Sequence, residues 1–223
     1  MPGSKEEYMY WGERAHGHEN NYLYIVGPTI NQELKSWLLA QFRDTYQVLE
    51  LGCGSGNYTR MVANRVKQLT ATDLAPEMVE EAQKKLGGYG NVEVQIQDCY
   101  NTSFEDNTFD AVLMTNLLHI VKDPVTVMKE SHRVIKCDGR AVIVDVTGYK
   151  MPFFKKMGMV FRYMRTWHRP PPHGMNPSPG KLATIVKKAG FTVEESKLLG
   201  KDTKAVCIRA RKVKQRRNKK EQE

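Results

Sequence analysis

Val48-Leu49-Glu50-Leu51-Gly52-Cys53-Gly54-Ser55-Gly56-Asn57-Tyr58-Thr59 is the stretch that decides the fold. A short, largely apolar run enters a turn with glycine at every second position. A helical pattern follows at once, with Tyr58, Met61, Val62 and Val66 on one face. A buried strand, a tight turn and a helix satisfy that order. Glycines at the turn let backbone N–H groups and the helix N-terminus approach a ligand closely.

The same unit recurs outward from this turn. Apolar or β-branched runs at Gln47–Leu51, Leu69–Thr72, Val92–Ile96, Ala111–Met114 and Ala141–Val146 have the length of strands buried on both faces. Helical periodicity lies between them. Met78, Val79, Ala82 and Leu86 precede a Gly87-Gly88 stop. Asp123-Pro124 opens a helix through Val125, Met128, His132 and Ile135 that ends near Gly139. Leu182, Ile185, Val186 and Ala189 form another, stopped at Gly190, and Ile30, Leu34, Trp37, Leu38 and Phe42 outline one before the first strand. The pattern predicts an α/β, Rossmann-like, doubly wound sheet, mostly parallel, with helices on both faces. Phe191–Val193 and Ala205–Ile208 close it, joined by a linker too short for a crossover helix, so the last strand is expected to be antiparallel.

Ligands of such sheets bind at the carboxyl ends of the strands, where the strand order switches. Asp73 ends the second strand, nineteen residues after Gly54, where a carboxylate can accept hydrogen bonds from both hydroxyls of a ribose. An adenosine-bearing cofactor fits. A dinucleotide fingerprint needs glycine where Asn57 stands, and the Gly-Lys-Ser/Thr ending of a phosphate loop is missing. A cofactor without phosphates is favoured, and S-adenosylmethionine offers a ribose, an adenine and a doubly charged amino acid end.

Read together, these motifs resemble those of class I S-adenosylmethionine-dependent methyltransferases of the small-molecule, type 11-like group. Val48–Thr59 looks like the first motif, Thr72-Asp73-Leu74-Ala75-Pro76-Glu77-Met78 the second and Gln97-Asp98-Cys99 the adenine-binding turn. Phe109-Asp110-Ala111-Val112, running on to Asn116-Leu117-Leu118-His119, is similar to the fourth-strand motif. Glu130 with Arg133–Arg140 is similar to the approach to the fifth, although Cys137-Asp138 stands where the family has Pro-Gly. The resemblance implies an enzyme that binds this cofactor through Glu50, Gly52, Gly54, Gly56, Asp73, Leu74, Asp98, Cys99 and Asn116. Gly52 and Gly54 would pass the methionyl portion, Glu50 would help hold its amino group, Asp73 the ribose and Asp98 the adenine amino group. Asn116 would line the floor under the sulfonium. A non-catalytic binding module of the same fold is the alternative, and the intact glycine turn, Asp73 and Asp98 speak against it.

The likeness gives a domain plan with a cofactor-binding core at residues 45–148, continued at 181–210. A helical cap segment (1–44), a cap or lid insertion (149–180) and a basic, disordered tail (211–223) complete it. The net charge of +9 is concentrated outside the core. Tyr149–Lys181 holds seven Lys/Arg and no acid, and Arg209–Glu223 eight against two Glu. The sequence lacks an apolar run long enough to span a bilayer and an apolar signal-peptide core, so a cytoplasmic location is expected. Four scattered cysteines form no metal or disulfide pattern, so no metal is expected.

Methyl transfer needs alignment and exclusion of water, and a base only for weak nucleophiles. His119 is a candidate base if it faces the pocket, and a core histidine if the neighbouring helix covers it. His168 and His173 are further candidates in the insertion, whereas His132 reads as structural. Phe153–Trp167 interleaves aromatic and basic residues. The leading reading is a lid over a small-molecule acceptor. A second is an interfacial segment on an anionic membrane that collects a lipid or quinone. A nucleic-acid surface is the least favoured partner, and a plain cap with solvated lysines remains open.

Overall fold

The computed structural model describes residues 5–213. Seven strands form one sheet: β1 (Gln47–Leu51), β2 (Gln68–Asp73), β3 (Val92–Ile96), β4 (Phe109–Thr115), β5 (Ile135–Thr147), β6 (Phe191–Leu199) and β7 (Lys204–Lys212). Their order is β3-β2-β1-β4-β5-β7-β6. The first five strands pair in parallel, and β7 lies antiparallel between β5 and β6. The expected mostly parallel sheet with an antiparallel last strand is therefore what forms. The strand order reverses between β1 and β4, which opens the crevice directly above the glycine turn.

Period-two alternation sorts the side chains of β1. Leu49 and Leu51 pack with Val112, Met114 and Ile143 beneath α6 (Pro124–Val134) and α8 (Pro179–Lys188). Val48 lies on the other face with Leu69, Ala71 and Leu113. There they meet α3 (Pro28–Leu39), α4 (Asn57–Val62) and α5 (Pro76–Leu86). Leu34 and Leu38 of α3 are fully buried on that face. Each contributes about 2 kcal/mol by leaving water.

Helix boundaries follow the expected punctuation with three corrections: α3 ends at Leu39, before Phe42; α4 ends at Val62 in a 3-10 turn (Ala63–Arg65) that leaves Val66 extended; and α6 stops short of its expected end. Asp123 caps α6, its Oδ1 accepting from the Val125 and Thr126 amides at 3.0 and 3.2 Å. That helix was expected to reach Gly139, but it stops at Val134. Ile135 leaves it to pair with Phe109, and the chain bulges before Arg140 pairs with Ala111. Asp138 takes a left-handed φ of 65° within that bulge. Strand pairing of a buried isoleucine outweighs one more helical turn.

Two helices precede α3, namely α1 (Lys5–Gly12) and α2 (His18–Val26), and α7 spans Phe153–Trp167 in the insertion. β7 continues to Lys212, so the first residues assigned to the basic tail are strand. The rest of that tail, 214–223, lies outside the described residues. Among the described residues, no helix is long and apolar enough to cross a membrane.

Candidate active site

At the crest of the sheet lies a cavity of about 530 Å³ whose wall is mostly apolar. That size suits a small-molecule site. Its base is the glycine turn. Gly52 and Gly54 adopt φ of +68° and +53°. A Cβ on Gly52 would stand 2.7 Å from Leu117, so a side chain there is excluded by shape as well as by backbone conformation.

Asp73, at the end of β2, faces this turn. Its Oδ2 accepts from the Gly54 amide at 2.9 Å and its Oδ1 from the Ala75 amide at 3.0 Å. Burial raises the carboxyl's pKa, opposed by these backbone donors. Each oxygen keeps a lone pair beyond the bond it makes, so the carboxylate stays competent to accept from a ligand hydroxyl.

The structure brings together Gly52, Gly54, Asp73, Leu74, Cys99 and Asn116 in the cavity wall, with His119 beside them. Three residues of the expected set stand behind it. Glu50 is fully buried under the turn and accepts from Thr59 Oγ1 at 2.6 Å and Thr115 Oγ1 at 3.4 Å. Burial pushes its carboxyl up to about 7. Gly56 packs against Leu86 rather than the cavity. Asp98 is half-buried just outside the wall and accepts from the Tyr100 amide at 2.9 Å, while its neighbours Gln97 and Cys99 line the cavity.

Among the candidate bases, His119 is the one the fold places at the cavity. Its Nδ1 lies 2.8 Å from Oδ1 of Asp145, a fully buried residue of β5. A carboxylate only accepts, so the shared proton sits on Nδ1 and Nε2 is left as the basic atom. His168, by contrast, is exposed where α7 ends, with φ +60°, outside the cavity wall. The sharp helix stop that follows Trp167 carries it away. His173 is likewise absent from the wall, and His132 packs edge-on against Phe191 at 5.0 Å between centroids.

Asn116 takes a left-handed φ of 54°, which sets its side chain between two neighbours. Its Oδ1 accepts from the Val146 amide at 3.0 Å and its Nδ2 donates to Tyr22 Oη at 3.1 Å. Tyr22 and Tyr58 hydroxyls meet at 2.8 Å, extending the network into α2 and α4. Cys53 is buried and Cys99 half-buried beside carboxylates, and loss of solvent first, then those charges, push both thiols up. They are poor sources of thiolate.

Several site residues escaped the sequence reading. Asn57 Nδ2 is buried in the wall without a hydrogen-bond partner. Overhead, His18 stacks on Trp167 at 5.9 Å, and Trp11 meets the same indole edge-on at 6.0 Å. Burial, with Lys85 adding to it, lowers the His18 pKa to about 4, so this ring is neutral. Tyr10 and Tyr163 hydroxyls, 2.7 Å apart, join α1 to α7, and Arg162 Nη2 donates to the Ile25 carbonyl at 2.9 Å. The N-terminal helices and α7 thus form one aromatic roof.

Comparison with known proteins agrees with this fold. Residues 49–143 match the family model described as a methyltransferase domain. The chain is 38% identical over 103 residues to a ubiquinone/menaquinone biosynthesis C-methyltransferase of Desulfotalea psychrophila, covering 45% of this chain and 42% of that protein. It is 29% identical over 122 residues to a demethylmenaquinone methyltransferase of Staphylococcus epidermidis, covering 53% and 51%. These matches thus span about half the length of the curated relatives or less. A solved S-adenosylmethionine-dependent methyltransferase from Aquifex aeolicus superposes with a TM-score of 0.68 at 22% identity, covering 91% of this chain and 98% of that one, a likeness of fold.

Proposed function

We propose that this chain is a class I, S-adenosylmethionine-dependent methyltransferase that methylates an apolar, ring-bearing acceptor of the quinol class with His119 as the base, a reading supported by the match of residues 49–143 to a methyltransferase-domain model. The observation that carries this reading is the His119–Asp145 pair at the edge of an apolar cavity that also contains Asp73. The curated relatives are named for quinone substrates, which supports the same acceptor class.

The donor set suits the cofactor. Asp73 offers an acceptor to ribose hydroxyls, and the unpartnered Asn57 Nδ2 offers a buried donor to a carboxylate. Gly52 and Gly54 clear space along the backbone for the amino acid end. When bound, S-adenosylmethionine supplies a methyl group already activated by its sulfonium. The protein's share is alignment, exclusion of water and management of one proton. The aromatic roof excludes water. His119 Nε2 takes the proton that the acceptor's hydroxyl or ring carbon must lose, and Asp145 fixes the tautomer and stabilises the resulting imidazolium.

The test is transfer of label from methyl-labelled cofactor to a short-chain demethylated naphthoquinol. Label on the quinol, lost by about 10²-fold or more in His119→Asn with cofactor affinity unchanged, is the expected result. Label that never enters a quinol, or an undiminished rate in the variant, contradicts the proposal.

A further inference from the structure

Helix α7 is built inside out. Phe153, Phe154, Met157, Val160, Phe161 and Met164 are between 41% and 86% exposed. At 100° per residue they fall on one arc of about 120°, facing solvent. Water-facing helices normally present the opposite pattern, and an apolar stripe of this kind marks a binding surface. The stripe is continuous with the cavity, because Val160 and Met164 are both exposed and part of its wall.

The charge around the stripe identifies the occupant. Lys150, Lys156 and Arg165 are exposed and have no carboxylate partner among the described residues. The whole segment from Tyr149 to Lys181 contains no acidic residue. Aromatic and aliphatic side chains on one face, flanked by unpaired cations, are what an anionic bilayer surface binds. A second copy of this chain would bring the same cations together and is disfavoured by repulsion.

We infer that α7 is an interfacial helix that seats the cavity mouth on an anionic membrane, so that an apolar acceptor passes from the lipid into the cavity without crossing water. The acceptor's route rests on the proposed function, whereas the docking itself does not. Seating the phenyl rings in the acyl boundary also draws on α7's attachment to α2 through Arg162, so the roof and the membrane contact are one element.

Co-sedimentation of the full chain with vesicles of phosphatidylcholine, alone or mixed with phosphatidylglycerol, tests this. The expected result is binding to the anionic vesicles that falls at least tenfold in the triple variant Phe153→Ser, Phe154→Ser, Phe161→Ser. These three residues lie outside the cavity wall, so calorimetric affinity for S-adenosylhomocysteine and turnover of a water-soluble acceptor should be retained. A parallel variant with glutamine at Lys214, Arg216, Arg217, Lys219 and Lys220 separates a contribution from the tail. The inference is overturned if the wild type ignores anionic vesicles, or if the triple variant binds as well as the wild type. A dimer in sedimentation velocity that the triple variant dissolves would also overturn it, by naming a second copy as the occupant. Failure of the vesicle experiment with turnover intact leaves the proposed reaction standing, and the reverse result leaves the docking standing.

Discussion

Replacing Glu50 with glutamine should make the free protein more stable at neutral and alkaline pH, although Glu50 belongs to the first cofactor motif. The side chain is completely buried, and its two partners are threonine hydroxyls rather than cations. Burial holds the carboxyl near 7 against an ordinary value of 4.5. A raised pKa means that the native state binds this proton more tightly than the unfolded chain does. The stabilisation is full below the unfolded value and is lost as pH climbs through the folded one. With ~1.4 kcal/mol per pKa unit, the loss between those limits is about 3 kcal/mol. Glutamine has nearly the same shape, carries no ionisable proton, and can bond threonine hydroxyls through either end of its amide. The Glu50→Gln variant should therefore match the wild type near pH 4.5 and exceed it by about 3 kcal/mol at pH 8, or roughly 6–12 °C in Tm for a chain of this size. Urea unfolding of the ligand-free protein across that range measures it. A variant that is less stable than the wild type at pH 8, or a difference that does not change with pH, would refute the reasoning. It would mean that Glu50 is charged and well compensated beneath the turn.

Other consequences are equally concrete. Asp73→Asn should weaken S-adenosylhomocysteine binding by ~2–4 kcal/mol in calorimetry, because a charged acceptor is lost and the new amide opposes a backbone N–H. Asp145→Asn should leave that affinity unchanged and lower kcat by ~10²–10⁴, since the imidazole loses the partner that fixes its tautomer. Thermal unfolding of Glu130→Ala should show a loss of about 3 kcal/mol, as the nearly buried carboxylate joins Arg133 at 2.6 Å to the Thr102 amide at 2.8 Å. Bonding to Arg133 and Thr102 outweighs burial and lowers the Glu130 pKa, so its contribution should be present above the ordinary carboxylate range and disappear as pH falls below it.

How far the chain could be read before its structure depended on the range of the interactions. β1 and its turn were legible because a short apolar run, alternate glycines and a helix pattern are all local. Asp73 was legible for the same reason, as the last residue of a strand next to that turn. Asp145 was not. It sits inside the apolar run Ala141–Val146, and only the pairing of β5 with β4 shows that it meets His119. The roof was also hidden, because Trp11, His18 and Trp167 come together only when the N-terminal helices fold over the insertion. Asn57 served in the sequence only to exclude a dinucleotide, and its unpartnered amide appears only when its surroundings are known. For α7 the sequence left a lid, an interfacial segment and a plain cap side by side, since periodicity does not say which face of an amphipathic helix meets the core.

The most direct measurement is a calorimetric titration of the purified chain with S-adenosylhomocysteine and, separately, with NAD. The crest of the sheet, with Asp73 over a glycine turn that lacks a third phosphate-facing glycine, predicts one saturable site for the first and no heat of binding for the second. Binding of NAD with comparable affinity, or indifference to both, would contradict the account of this cavity.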